Sequence, residues 1–233
     1  MSVRATRLTP GPSAEAWLDS AVGELKGTDP LGPLTVVVPN HHAKLALRRR
    51  LARSGYANVR HDVIARLAES LGAPSLAAQG KVPLTAVTEE AAIRTALRAA
   101  GGLGPQTEHR AVVSTLQALF RDLAEGGVEG ERSQQLASRG ELARIAISAH
   151  DEYRRLLAER GFYDRAELCR AAVAAVDRDG AALLADWGPI VLYLPSRLSV
   201  PELQLLAALG RAGRHGRTLR APCQHCLDDD DEQ

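Results

Sequence analysis

The chain has 233 residues, 45% hydrophobic and 24% charged, enough for one good core or a core with a helical insertion. Its 29 Lys and Arg against 28 Asp and Glu leave a formal charge of +1, so no global field announces a polyanionic partner. No stretch approaches the roughly 20 apolar residues of a membrane span, the first residues lack a signal-peptide core, and three cysteines argue for a reducing compartment, so a cytoplasmic protein is expected.

Residues 1–12 read as a short polar lead. Ser13 is the expected N-cap of a helix carrying Ala16, Trp17, Ala21, Val22 and Leu25, which ends near Gly27. A Gly/Pro-rich turn from Gly27 to Pro33 feeds Leu34-Thr35-Val36-Val37-Val38, an unbroken apolar and β-branched run. A strand buried on both faces of a parallel sheet has this pattern. Pro39 stops it, and a basic helix follows from about Ala43 to Ser54, with Leu47 and Leu51 inward and Gly55 as its C-terminal cap. Val59 is read as the start of a short second strand. Ile64, Leu67, Ala68 and Leu71 then form a helical stripe that stops at Gly72. Ala73 to Gly80 reads as a loop and Val82-Pro83-Leu84 as extended.

A run of helices comes next. The first spans Thr88 to Gly102, capped by Thr88, with Glu89 and Glu90 complementing its dipole. The second buries Val112, Leu116, Leu119, Phe120 and Leu123 and stops at Gly126-Gly127. A third, from about Glu141 to Arg160, turns Leu142, Ile145, Ala146, Ala149, Tyr153, Leu156 and Leu157 inward. Asp164 and Glu167 make a capping-box-like start for a fourth. With no strand expected among them, these helices read as an insertion over residues 88–186. It lies between the first part of an α/β core, 1–87, and its return, 187–222. The return opens with the apolar run Ile190 to Leu194, closed by Pro195. A helix opened by Ser199, Pro201 and Glu202 follows, then a short strand at Thr218 to Ala221. The Cys/Asp-rich tail 223–233 is expected to be disordered. The fold class is α/β, a small parallel sheet interrupted by an all-helical subdomain.

The position after the first strand is where a phosphate-binding loop would lie. Such a loop needs glycines whose backbone amides surround the phosphates, a Lys, and a Ser or Thr for Mg²⁺. Pro39-Asn40-His41-His42-Ala43-Lys44 contains no glycine. The later strand ends in Leu194-Pro195-Ser196-Arg197, without the carboxylate that would hold Mg²⁺. Cys223-Gln224-His225-Cys226 lacks the partners of a four-ligand zinc site. No nucleophile–base, HExxH or paired-carboxylate constellation stands out, so no catalytic residue, metal ligand or cofactor is assigned. The carboxyl end of a buried parallel strand remains the natural ligand position, and a helix N-terminus there favours anions. Asn40, His41, His42, Lys44 and Arg48 are therefore the residues expected to face nucleic acid. The competing readings are a solvated loop for the two histidines and a charged outer face for the helix.

The ordered set Val36-Val37-Val38-Pro39-Asn40, Leu47-Arg48-Arg49, Ala65-Arg66-Leu67-Ala68, Tyr153-Arg154-Arg155-Leu156-Leu157, Gly161-Phe162-Tyr163-Asp164-Arg165-Ala166-Glu167-Leu168 and Leu198-Ser199-Val200-Pro201-Glu202-Leu203 covers most of residues 30–221. It resembles the N-terminal helicase-like region of the B-subunit type of bacterial ATP-dependent helicase–nucleases, described in actinobacteria as PD-(D/E)XK nuclease family proteins. The resemblance implies a P-loop, superfamily-1-helicase type of core that has lost its ATP-binding motifs and serves as scaffold for handling DNA. Family members are several times longer, which implies a truncated relative or separately encoded fragment, and their nuclease activity does not carry over. The expectation is a non-catalytic DNA-handling module for recombinational repair. Single-stranded DNA or a duplex end would be its ligand and a helicase–nuclease subunit its partner. The alternatives are a structural, partner-binding remnant that does not bind DNA, or a small ATPase with an unrecognised phosphate loop.

Overall fold

The structure, a computed structural model, describes residues 4–6, 10–101, 104–194, 197–212 and 219–222. The expected tail at 223–233, with Cys223 and Cys226, lies outside them. In chain order the first half holds β1 (Arg4–Thr6), α1 (Pro12–Lys26), β2 (Leu34–Val38), α2 (His41–Arg53), β3 (Val59–Val63), α3 (Ile64–Ala78), β4 (Val82–Pro83) and α4 (Ala86–Ala100). Then come α5 (Arg110–Glu125), α6 (Glu131–Ala137), α7 (Glu141–Glu159), β5 (Phe162–Tyr163), α8 (Arg165–Leu183), β6 (Ile190–Leu192), α9 (Val200–Ala212) and β7 (Leu219–Pro222). The chain is mixed α/β and mostly helical. Among the described residues no helix is long and apolar enough to cross a membrane. Two compact units divide it, Met1–Gly72 with Ala171–Leu198 and Glu202–Gln233, and Ala73–Arg170 with Ser199–Pro201. The divisions fall inside α3, inside α8 and on either side of Ser199–Pro201.

In the first unit a parallel sheet runs in the order β1-β7-β6-β2-β3. Its centre is β2, paired with β3 from Leu34↔Val59 to Val38↔Val63 and with β6 from Thr35↔Ile190 to Val37↔Leu192. All five β2 residues are buried, which accounts for the unbroken apolar run. Leu34, Val36 and Val38 share one face by the twofold period of a strand. They pack with Ala14, Leu18 and Val22 of α1, Leu47 and Leu51 of α2, and Val191. On the alternate side Thr35 Oγ1 donates to the Trp187 carbonyl at 2.8 Å, so the one polar residue of the strand is satisfied.

Several local expectations are corrected. The polar lead contains β1, which exists through its pairing with β7. Helix α1 is capped by Gly11, with Pro12 in its first turn, and Ser13 lies inside. Proline lacks an amide hydrogen the first turn leaves unpaired anyway, and its ring presets φ, so the helix starts earlier. Helix α3 runs through Gly72 and Pro74 to Ala78, where a loop was expected. A helical glycine costs only about 1 kcal/mol, and continuing the helix buries Leu76.

In the second unit α4, α5 and α7 enclose Ile93, Leu97, Val113, Leu116, Phe120, Leu123, Ile145, Ala149, Tyr153 and Leu157. The cap of α4 is Thr85, not Thr88. Thr88 sits three positions later and closes a reciprocal capping box with it. Leu142, expected inward, is 72% exposed, because the buried stripe of α7 begins one turn later at Ile145. The segment expected to be extended at Val82 to Leu84 contains β4, and β5, which was not expected, pairs with it in parallel through Val82↔Phe162 and Pro83↔Tyr163. Asp164 Oδ1 accepts the Glu167 amide at 2.7 Å, as an N-cap should. The Glu167 carboxylate itself pairs with Lys81.

Candidate nucleic-acid interface

The site begins where β2 gives way to α2. Asn40 is extended, and its Oδ1 accepts the Ala43 amide at 2.9 Å, capping a helix that starts at His41 rather than Ala43. The far end closes just as locally. The Gly55 amide donates to Ala52 and the Tyr56 amide to Leu51, at 3.2 and 3.1 Å, with Gly55 at φ +83°. This paired arrangement is the left-handed glycine ending, and it holds the helix to length.

Five cations and no first-turn acid lie on α2. Two of them are partnered. Lys44 Nζ is 3.5 Å from Asp62 Oδ1, and Arg50 meets Glu15 Oε2 at 2.6 Å and Asp19 Oδ2 at 2.7 Å. The Asp19 hydrogen bond first of all raises the Arg50 pKa further. Arg48, Arg49 and Arg53 are exposed and form no ion pair among the described residues. At 3.6 residues per turn they share the outward side with His41, His42 and Leu45, opposite buried Leu47 and Leu51. Asn40, His41 and His42 are exposed, whereas Lys44 is half-buried. The five expected residues therefore stand together on one helix start, but Asn40 is occupied as a cap and Lys44 as an ion-pair partner.

Strand β3 adds residues that were not anticipated. Its register sets Asp62 beside Val37, at the carboxyl end of the sheet. Asp62 Oδ2 also meets Arg60 Nη2 at 3.2 Å, and the Arg60 guanidinium lies 4.6 Å from the centre of a Trp187 ring. His61 is buried, with Nδ1 3.0 Å from the Val59 carbonyl oxygen and Nε2 without a partner among the described residues. Burial pushes its pKa below the ordinary value. The bond to Val59 opposes this, and the nearby Lys44 and Arg48 charges reinforce it. The signal for these residues lay in the parallel pairing of two adjacent strands, which carries Arg60, His61 and Asp62 alongside the β2–α2 junction.

Chemically, the arrangement supplies guanidiniums and a helix N-terminus to an anion. It offers neither a glycine nest for a triphosphate nor, among the described residues, a group of three or more His, Cys, Asp or Glu able to hold a metal ion. No protein-family model matches the chain, and no curated protein matches it.

Proposed function

We propose that this chain is a non-catalytic, helicase-like DNA-handling module of a recombinational-repair helicase–nuclease, with degenerate ATP-binding motifs. The observation that carries the reading is the outward side of α2, where Arg48, Arg49 and Arg53 form no ion pair among the described residues, on the helix that leaves the carboxyl end of a buried central strand. Ligands of open parallel sheets gather at that end, and exposed guanidiniums there suit phosphates better than bases. Residues 73–170 take the part of the helical insertion of a superfamily-1-type core. The ligand is single-stranded DNA or a duplex end, and the partner is a helicase–nuclease subunit.

The test is fluorescence anisotropy of the purified chain with labelled single-stranded and duplex DNA at two salt concentrations. Micromolar, salt-sensitive binding is expected. With three phosphate contacts on single strands, log K against log salt should have a slope of about −2. Absence of binding at low salt overturns the reading. It would favour a structural, partner-binding role instead, for which the specific observation is Leu45, 52% exposed amid the cations of α2.

A further inference from the structure

A cavity of about 390 Å³ lies within the second unit, far in sequence from the basic helix and independent of the DNA reading. Its size is that of small-molecule pockets, and its walls are largely apolar, with Leu84 among them. The chain has only two Phe and four Tyr residues, yet Phe120, Tyr153 and Tyr163 all border this one space. Phe120 stands at the centre of an aromatic cluster. Its ring centroid is 5.1 Å from that of His150, edge-on at 62°, and 5.1 Å from that of Tyr153.

The charged groups of the wall differ in exposure. Glu89, Glu125 and Asp164 are half-buried, whereas Arg121 and Arg165 are exposed. Glu89 is held by Gln117, whose Nε2 donates to its Oε2 at 2.6 Å. Asp164 is fixed as the cap of α8. His150, only 4% exposed, also lines the cavity, and its Nδ1 has no hydrogen-bond partner among the described residues, Asp151 Oδ1 being 4.0 Å away. Burial, with the Arg154 charge, keeps this imidazole below its ordinary pKa against the pull of Asp151, Asp164 and Glu129. A neutral ring does not repel a cation.

We propose that the cavity binds a small organic cation, its charged nitrogen held by the aromatic rings and by Glu89 and Asp164, its apolar body against Leu84 and Phe120. Ring faces attract cations through their quadrupole, and desolvation inside a pocket strengthens that attraction. The half-buried carboxylates favour a positive charge. Anionic ligands of the same shape meet the same carboxylates and are repelled.

Isothermal titration of the full chain with benzamidine and with benzoate separates the outcomes, since the two share a ring and differ in charge. Benzamidine is expected to saturate one site, and benzoate to bind at least about tenfold more weakly. Glu89→Gln and Tyr163→Ala should each weaken benzamidine by about fivefold to tenfold. Both positions are half-buried rather than central to the core, and a thermal melt checks that each variant folds. Tyr163→Phe, which keeps the ring, should retain binding. The proposal is overturned if benzoate binds as tightly as benzamidine, or if the wild-type chain shows no saturation to about 10 mM benzamidine. It is overturned equally if both folded variants bind benzamidine as the wild type does.

Discussion

Lys44 Nζ lies 3.5 Å from Asp62 Oδ1, and the other oxygen of that carboxylate lies 3.2 Å from Arg60, so one acid at the end of β3 serves two cations. Asp62 thereby withholds positive charge from the face proposed to meet DNA. Asp62→Asn should release both cations and tighten single-stranded DNA binding by several-fold, measured by anisotropy at low salt. Arg48→Ala and Arg49→Ala should each weaken binding and reduce the salt slope by about 0.7. Lys44→Ala should do less, because its charge is already shared. Unchanged affinity in Asp62→Asn would place Lys44 and Arg60 outside the DNA footprint.

Gly188 packs against the backbone at the entrance to the central strand. A Cβ there would stand 1.7 Å from the Pro33 carbonyl oxygen and 3.1 Å from the Leu34 amide, at a backbone φ of +65°. Both obstacles are backbone, so no side chain can swing aside. Gly188→Ala should cost about 3 kcal/mol or more in urea denaturation. Gly55 isolates the conformational part of the effect, because nothing lies within 4 Å of its Cβ position although φ is +83°. Gly55→Ala should cost only about 1 kcal/mol. Equal losses in the two variants would show that β2 and the turn before β6 can separate freely.

Two buried histidines are expected to make the fold sensitive to acid. Among the described residues His61 and His150 each leave a ring nitrogen unpaired, and burial lowers both pKa values. Between the lowered values and the ordinary one, the unfolded chain binds more protons than the folded chain, so stability rises with pH through that window. It is fully present above about pH 6.5 and is lost progressively as pH falls towards the folded-state values. The thermal midpoint should therefore drop between about pH 7.5 and pH 5. In a His61→Leu/His150→Phe variant, which keeps an aromatic ring against Phe120, that drop should shrink. A double variant with an undiminished drop would assign the acid sensitivity to the carboxylates.

The parts of the fold that were legible in the sequence are those whose burial is written into a local pattern. The run Leu34 to Val38 announces a strand covered on both faces, and Leu47 with Leu51 announces the inner side of α2. Strands β1 and β5 have three and two residues, too few for any periodicity, and they exist only through distant partners. Gly72 and Pro74 look like a helix end, but Leu76 lies beyond them and its burial carries the helix on. The site divides in the same way. A basic helix after a buried strand can be read from the residues in order. That Lys44 is tied to Asp62 and Arg50 to Asp19 depends on strand register and helix packing, so the division of the cations into paired and unpaired was not legible. The cavity is further still from sequence reading, since Glu89, Phe120, His150 and Tyr163 come from four separate elements.

Asn40 offers a way to separate structure from function at one position. Its Oδ1 holds the Ala43 amide, so Asn40→Ala removes a cap and should destabilise the chain by about 1 kcal/mol. Asn40→Asp keeps the acceptor and puts a negative charge at the positive end of the α2 dipole, and the helix has no acid in its first turn. Stability should therefore be retained or rise by about 0.5 kcal/mol, read from urea denaturation. The same charge stands at the start of the surface carrying His41, His42 and Arg48, where it would repel phosphate. DNA affinity should fall in Asn40→Asp even though the fold is no weaker. In Asn40→Ala the two quantities move together, because fraying of the first turn also loosens the cations that follow. Opposite signs in stability and affinity for Asn40→Asp would tie the helix start to DNA. Intact affinity in this variant would instead leave Asn40 as a cap alone and move any DNA contact towards Arg49 and Arg53, further along α2.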